Sequence, residues 1–211
     1  MSKPTLILVG GGGHCRSIID VIEAEGKWTI AGVLDREEMV GQVLLGHRIM
    51  GADAMIPELV AEGHHFLITA GQVKDAGLRV RLNALVQQAG GMFASVISPL
   101  ARIASSAVIG AGTVVCHTAV VNSGAQLGAN CIVNTGALVE HDAMIGDHCH
   151  IATGAIINGG CSVGDRSFIG SRAVLVQAVR VGTDCVVGAG AVVLKDVRNG
   201  ATVVGQPAHE V

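Results

Sequence analysis

One aliphatic residue recurs at every sixth position from Ile97, through Val121, Val139, Ile157 and Leu175, to Val193, without a break. A period of six is neither the two of an isolated strand nor the 3.6 of an α-helix, so it marks a repeating supersecondary unit. Four positions after each aliphatic residue stands a small one, as at Thr113, Ala119, Ala125, Cys131, Ala137, Ala143 and Cys149, with Val179 the largest exception. Each hexad reads as a short strand plus a corner, and three hexads close a triangular coil of about eighteen residues. The aliphatic side chain points inward and the small one fits near the corner. The Gly that often follows the aliphatic residue accepts the turn. Coils stack at about 4.8 Å, so each inward residue covers its equivalent one coil away. The run from about 97 to 198 is expected to be a parallel β-helix.

The residues before the repeat follow other periods. Thr5–Val9 is a buried-type strand, Gly10–Gly13 a turn, and Cys15, Ile18, Ile19 and Ile22 stand at helical spacing up to Gly26. Residues 28–34 form a second strand that ends on Asp35, and 65–70 a third. A helix over 78–88 would bury Leu78, Leu82, Leu85 and Val86. This pattern predicts a small N-terminal βαβ Rossmann-like domain over 1–92, and the β-helix then occupies 93–211. The class is therefore α/β plus β.

Composition agrees with a narrow, regular interior. Half the residues are hydrophobic, yet aromatic residues make up only 2% and Tyr is absent. A net charge of −3 argues against nucleic acid as a partner, because binding it leaves a basic footprint. No apolar stretch of membrane-spanning length and no signal peptide are read, so a cytoplasmic location without membrane insertion is expected. Four of the six Cys share the small-residue phase and read as reduced core thiols.

Three groups of residues could carry chemistry. The strand–glycine–helix passage at Gly10–Gly13 would present free backbone N–H groups to a phosphate, and Asp35 stands where an acidic residue often meets a ribose hydroxyl. Cys15 replaces the third Gly of the dinucleotide fingerprint, and the same glycines also suit a tight turn without a ligand. Glu140-His141-Asp142 interrupts an apolar and small-residue surface. His141 falls in register with Ser123 and Gly159, which leaves room beside the imidazole, and a neighbouring carboxylate would make it a better base. Arg166, Arg172, Arg180, Lys195 and Arg198 crowd the last coils and could face an anionic cofactor such as coenzyme A. His148 and His150 raise a zinc alternative like that of the γ-class carbonic anhydrases. Their spacing from His117 and His141 does not match that pattern, so no metal is expected.

The chain resembles the hexapeptide-repeat sugar acyltransferases, in the branch of the bacillosamine-pathway N-acetyltransferases and sialic acid O-acetyltransferases. The resemblance rests on Gly10–His14, Leu34-Asp35, Asn134 through Asp142, Ile145–His150 and Gly205-Gln206-Pro207-Ala208. It implies a left-handed β-helix and an acetyl-CoA-dependent acetyltransferase acting on a nucleotide-linked 4-amino sugar of the UDP type, for a bacterial surface or protein-linked glycan. It also implies a homotrimer with sites between subunits. His141 resembles the catalytic base and Asp142 the acid that tunes it. His150, Ser171 and Ala189 resemble acetyl-CoA contacts. Gly12, Gly13, His14, Asp35, Arg36 and Gly71 resemble the nucleotide-sugar site. O-acetylation, a zinc hydrase and a non-catalytic nucleotide-sugar scaffold stay open as other readings.

Overall fold

The computed structural model describes residues 2–211. The chain divides into two compact units. One comprises residues up to Gly71 together with Gly77–Val96, and the other Gln72–Ala76 together with Ile97–Val211.

The first unit is a parallel sheet with helices. Strand β1 (Thr5–Val9) leads through the glycines into α1 (Gly13–Glu25), then β2 (Thr29–Leu34). A hairpin follows, β3 (Val43–Leu44) and β4 (His47–Gly51), then α2 (Ile56–Ala61), β5 (His65–Ile68), α3 (Gly77–Gln88) and β6 (Met92–Phe93). The order is β3-β4-β2-β1-β5-β6, with only β3 antiparallel to its neighbour. Leu6 to Val9 are fully buried, as a central parallel strand requires. Helix α1 buries Cys15, Ile18, Ile19, Val21 and Ile22 and ends on Gly26, whose φ of 69° closes a left-handed cap onto the Ile22 carbonyl.

Three features differ from expectation. The hairpin, α2 and β6 have no strong periodic signal because each is short. In α3 the buried face is Arg79, Leu82, Asn83 and Val86, while Leu78 is 51% exposed. The helix is rotated so that a charged residue, not Leu78, occupies the core-facing position.

The second unit is the left-handed β-helix. Two-residue strands repeat from Val96–Ile97 to Val192–Val193 on three prism faces, and with Thr202–Val204 and His209–Glu210 added to the first face the sheets have eight, six and five strands. On the second face Val121, Val139, Ile157, Leu175 and Val193 stack inward and are all buried. Every sixth residue from Gly112 to Gly190 has positive φ, whether Gly or not, including Asn130, Asp142, His148 and Arg166. A non-Gly residue in this region costs about 1–2 kcal/mol. Inter-coil bonds such as Asp142 N–H to the Ser123 carbonyl (3.0 Å) hold each corner in place.

The glycines after the aliphatic position have a different reason from the one expected. Gly110, Gly128, Gly146, Gly164 and Gly182 do not have positive φ. They stack one coil apart, where backbones approach too closely for a side chain. A Cβ on Gly164 would stand 2.7 Å from the Gly182 carbonyl carbon. The small-residue phase also divides by corner. Thr113, Cys131, Cys149, Ser167 and Cys185 share one corner and donate to carbonyls of the next coil, at 2.8 Å from Thr113 to Gly128 and 3.0 Å from Cys131 to Gly146. These thiols fill space and also satisfy buried carbonyls. Cys161 and Val179 lie on another corner, above Ala125 and Ala143.

Candidate active site

His141 and Asp142 form the corner between Leu138–Val139 and Met144–Ile145. Asp142 takes the left-handed position, φ 58°, which an Asp tolerates better than most residues. That turn swings its carboxylate back, and Oδ2 accepts from His141 Nδ1 at 2.9 Å. The proton is thereby placed on Nδ1 and the Nε2 lone pair is left open. Glu140 does not touch the ring; its Oε2 accepts the His141 backbone N–H at 3.1 Å. The Asp142 hydrogen bond, helped by the charges of Asp142 and Glu140, raises the His141 pKa above 6.5. The imidazole lies over buried Gly159, where a Cβ would come within 2.6 Å of Cε1. Both side chains remain largely exposed.

His150, Ser171 and Ala189 gather along a different edge. His150 stands on the first face, 7% exposed, with its ring edge-on to Phe168 at 5.3 Å. Nδ1 donates to the Gln72 carbonyl (2.7 Å), and Nε2 faces Asn134 Nδ2 (3.2 Å). Ser171 and Ala189 occupy the same turn position one coil apart at the next corner, and both are exposed. The second prism face separates this edge from the corner of His141, so the chain does not bring His141 and His150 together. Two of the five late cations are held by carboxylates: Arg166 grips Asp184 with two 2.8 Å bonds, and Arg198 pairs with Glu210. Arg172, Arg180 and Lys195 are exposed. Among the described residues no group of three His, Cys, Asp or Glu is placed to hold a metal.

The first unit carries a cleft of about 550 Å³ at the carboxyl ends of β1, β2, β4 and β5, lined in part by Gly12, Asp35, Arg36 and Gly71. Strand order reverses direction at β1, the place where open α/β sheets bind ligands. Asp35 accepts Gly11 N–H at 2.8 Å through Oδ2 and Arg36 N–H at 2.7 Å through Oδ1, so its carboxylate shapes the glycine loop. Gly10 and Gly11 have no room for a Cβ, being pressed against Ala70 and Asp35. Gly12 and Gly13 face open space. Gly12 caps α1 without a side-chain bond, and no acidic residue sits in the first turn, so this terminus is free for an anion. Gly13 and His14 begin α1 and lie outside the cleft lining. Arg36 pairs with Glu38 at 3.0 Å.

Several participants escaped the sequence reading. Asn134 meets His150 only because strands eighteen residues apart are neighbours. Asp53 and Arg81, paired at 3.0 Å, join the cleft from a 3-10 turn and from α3. No local motif marks either residue.

Residues 5–75 match the PglD N-terminal domain, residues 124–159 the bacterial transferase hexapeptide (six repeats), and residues 160–195 the hexapeptide repeat of succinyl-transferase. No curated protein sequence matches the chain. Solved structures similar to it include a histidine-to-asparagine variant of perosamine N-acetyltransferase from Caulobacter crescentus in complex with CoA and GDP-perosamine. It is 30% identical with a TM-score of 0.93, over 100% of this chain and 98% of that one. The acetyltransferase domain of PglB from Neisseria gonorrhoeae FA1090, in complex with acetyl coenzyme A, is 31% identical with a TM-score of 0.92, over 100% of both chains. WeeI from Acinetobacter baumannii AYE is 25% identical with a TM-score of 0.87, over 99% of this chain and 100% of that one.

Proposed function

Since this chain belongs to the hexapeptide-repeat sugar N-acetyltransferases of the bacillosamine and perosamine branch, we propose that it acetylates the 4-amino group of a nucleotide-linked amino-deoxysugar. The nucleotide sugar is of the UDP type, acetyl-CoA is the donor, and the product serves a bacterial surface or protein-linked glycan. The observation that carries this reading is the 2.9 Å bond from His141 Nδ1 to Asp142, which leaves Nε2 as an exposed base. Two neighbours crystallised with CoA or acetyl-CoA support the donor, and the one that also holds GDP-perosamine supports a nucleotide-linked amino sugar as acceptor without favouring UDP over GDP.

In the proposed reaction, Nε2 of His141 takes a proton from the sugar amine as its nitrogen attacks the thioester carbonyl. The tetrahedral oxyanion is stabilised by backbone N–H groups. Collapse breaks the C–S bond, and the His141 proton passes to the departing CoA thiolate. No acyl-enzyme is needed, and Cys149 is unsuited to one. It is fully buried, its thiol donates to the Gly164 carbonyl, and the neighbouring Cys131 together with burial pushes its pKa up.

The CoA-side residues and the base stand at opposite edges of the second face. That face points Val120, Leu138, Ile156, Val174 and Val192 outward, an unbroken aliphatic run each half-buried, whereas the third face mixes Val108 and Met144 with Gln126, Ser162 and Arg180. An apolar stripe of this kind suits a subunit contact, and a trimer would bring the His150 edge of one subunit to the His141 corner of the next. Thiol release from acetyl-CoA, measured with UDP- and GDP-linked 4-amino sugars and their 4-hydroxyl analogues, tests the reading. His141→Ala should lower the rate by about 100-fold or more. An undiminished rate in that variant, or turnover of the hydroxyl sugars alone, would overturn it.

A further inference from the structure

We propose that Arg79 is a positioning residue of the nucleotide-sugar cleft, holding the Ala70–Gly71 peptide so that the Gly71 N–H faces an incoming phosphate. The inference rests on the nucleotide-sugar reading of that cleft. Arg79 is the largest fully buried side chain among the described residues and begins the core face of α3, where an aliphatic residue would ordinarily stand. Its Nη1 donates to the carbonyls of Ile68 (2.9 Å) and Ala70 (2.7 Å), just where β5 ends. In a trans peptide the C=O and N–H point in opposite directions. The Ala70 carbonyl is turned toward Arg79, so the Gly71 N–H is turned away from it. Ala70 and Gly71 line the cleft, while Arg79 is sealed behind them. The side of the peptide away from the guanidinium is therefore the cleft side.

The same strand end also fixes the glycine loop. Thr69, fully buried, donates through Oγ1 to the Gly10 carbonyl at 2.7 Å, and Ala70 occupies the space a Gly10 Cβ would need. One guanidinium thus sets two donor surfaces around the place a diphosphate would take. Its positive charge offsets the carbonyl dipoles that would otherwise repel an anion. Both bonds leave the single nitrogen Nη1, whose two N–H groups are fixed in the guanidinium plane; a lysine keeps the charge, but its stem is one bond shorter and its ammonium lacks that plane.

Steady-state kinetics of Arg79→Lys and Arg79→Met test the assignment. The KM for the nucleotide sugar should rise about tenfold or more. The KM for acetyl-CoA and the saturating kcat should stay within about twofold. Val86→Ala, a fully buried position on the same helix, is the control for lost stability: it should lower Tm and leave both KM values alone. A wild-type nucleotide-sugar KM in Arg79→Lys, or an equal rise in Val86→Ala, overturns the inference. Should neither Arg79 variant fold, the unsubstituted protein can be titrated with UDP and with GDP while its amide resonances are followed. The Gly71 amide is expected to shift; a silent Gly71 beside shifting Gly12 and Gly13 amides refutes the role of Arg79. If no amide of the cleft responds to either diphosphate, the nucleotide-sugar reading itself fails.

Discussion

Replacing Gly159 with Ala would put a single methyl group beneath the His141 imidazole. The three atoms nearest the new Cβ all belong to that ring, with Cε1 at 2.6 Å and Cδ2 at 3.0 Å. Carbon atoms in comfortable contact stand about 3.5–4.0 Å apart, so the ring must move by about 1 Å. Gly159 does not have positive φ, so the backbone accepts Ala without strain. The ring is exposed and free to swing, so folding should barely notice the change. The cost falls instead on the placement of Nε2 and on the 2.9 Å bond to Asp142, which a shift of that size lengthens or misaligns. Misplacing a reacting group by 1 Å costs about 100-fold in rate, or about 2.7 kcal/mol of transition-state stabilisation. The assay is thiol release from acetyl-CoA under saturating nucleotide sugar, with Tm measured alongside. Gly159→Ala should lose about 100-fold in kcat with a Tm close to that of the parent. The double variant with His141→Ala should be no slower than His141→Ala alone, because no imidazole is left to displace. A wild-type rate in Gly159→Ala, or a further loss in the double variant, would refute the reasoning.

Asp142→Asn keeps a residue that tolerates positive φ but removes the charge that raises the His141 pKa. Since the neutral imidazole is the base, the rate of the parent should rise with pH through an inflection above 6.5, and that inflection should move to lower pH in Asp142→Asn. Asp35→Ala frees the Gly11 and Arg36 N–H groups, and the KM for the nucleotide sugar should rise about tenfold, the equivalent of one charge-assisted bond, with the acetyl-CoA KM unchanged. All six Cys are buried, and burial pushes Cys15 to about 11 and Cys116 to about 12. Ellman's reagent should therefore find no thiol in the native protein at pH 8 and all six in denaturant. Ile157→Ala opens a hole between Val139 and Leu175 and should cost about 2–5 kcal/mol in urea unfolding.

The period of six by itself determined the β-helix, its register and its inward residues, because each inward position sees only its own equivalent one coil away. The same counting placed His141 over Gly159. Which carboxylate meets the ring was decided by the tertiary structure, since only the left-handed turn at Asp142 brings an oxygen back to Nδ1. The glycine passage and Asp35 were legible as a strand-to-helix site, but not that Asp35 holds the loop itself, which depends on β1 and β2 lying side by side. The hexad phase marked four Cys as core residues, yet their hydrogen-bonding corner follows from a period of eighteen. Arg79 was hidden altogether. The helical pattern of α3 favoured Leu78 for the core, and only the carbonyls of Ile68 and Ala70 at the end of β5 explain why a guanidinium lies there instead. Periodicity reports what repeats along the chain; it is blind to which unpaired backbone group a single side chain must answer, and that is settled where the strands end.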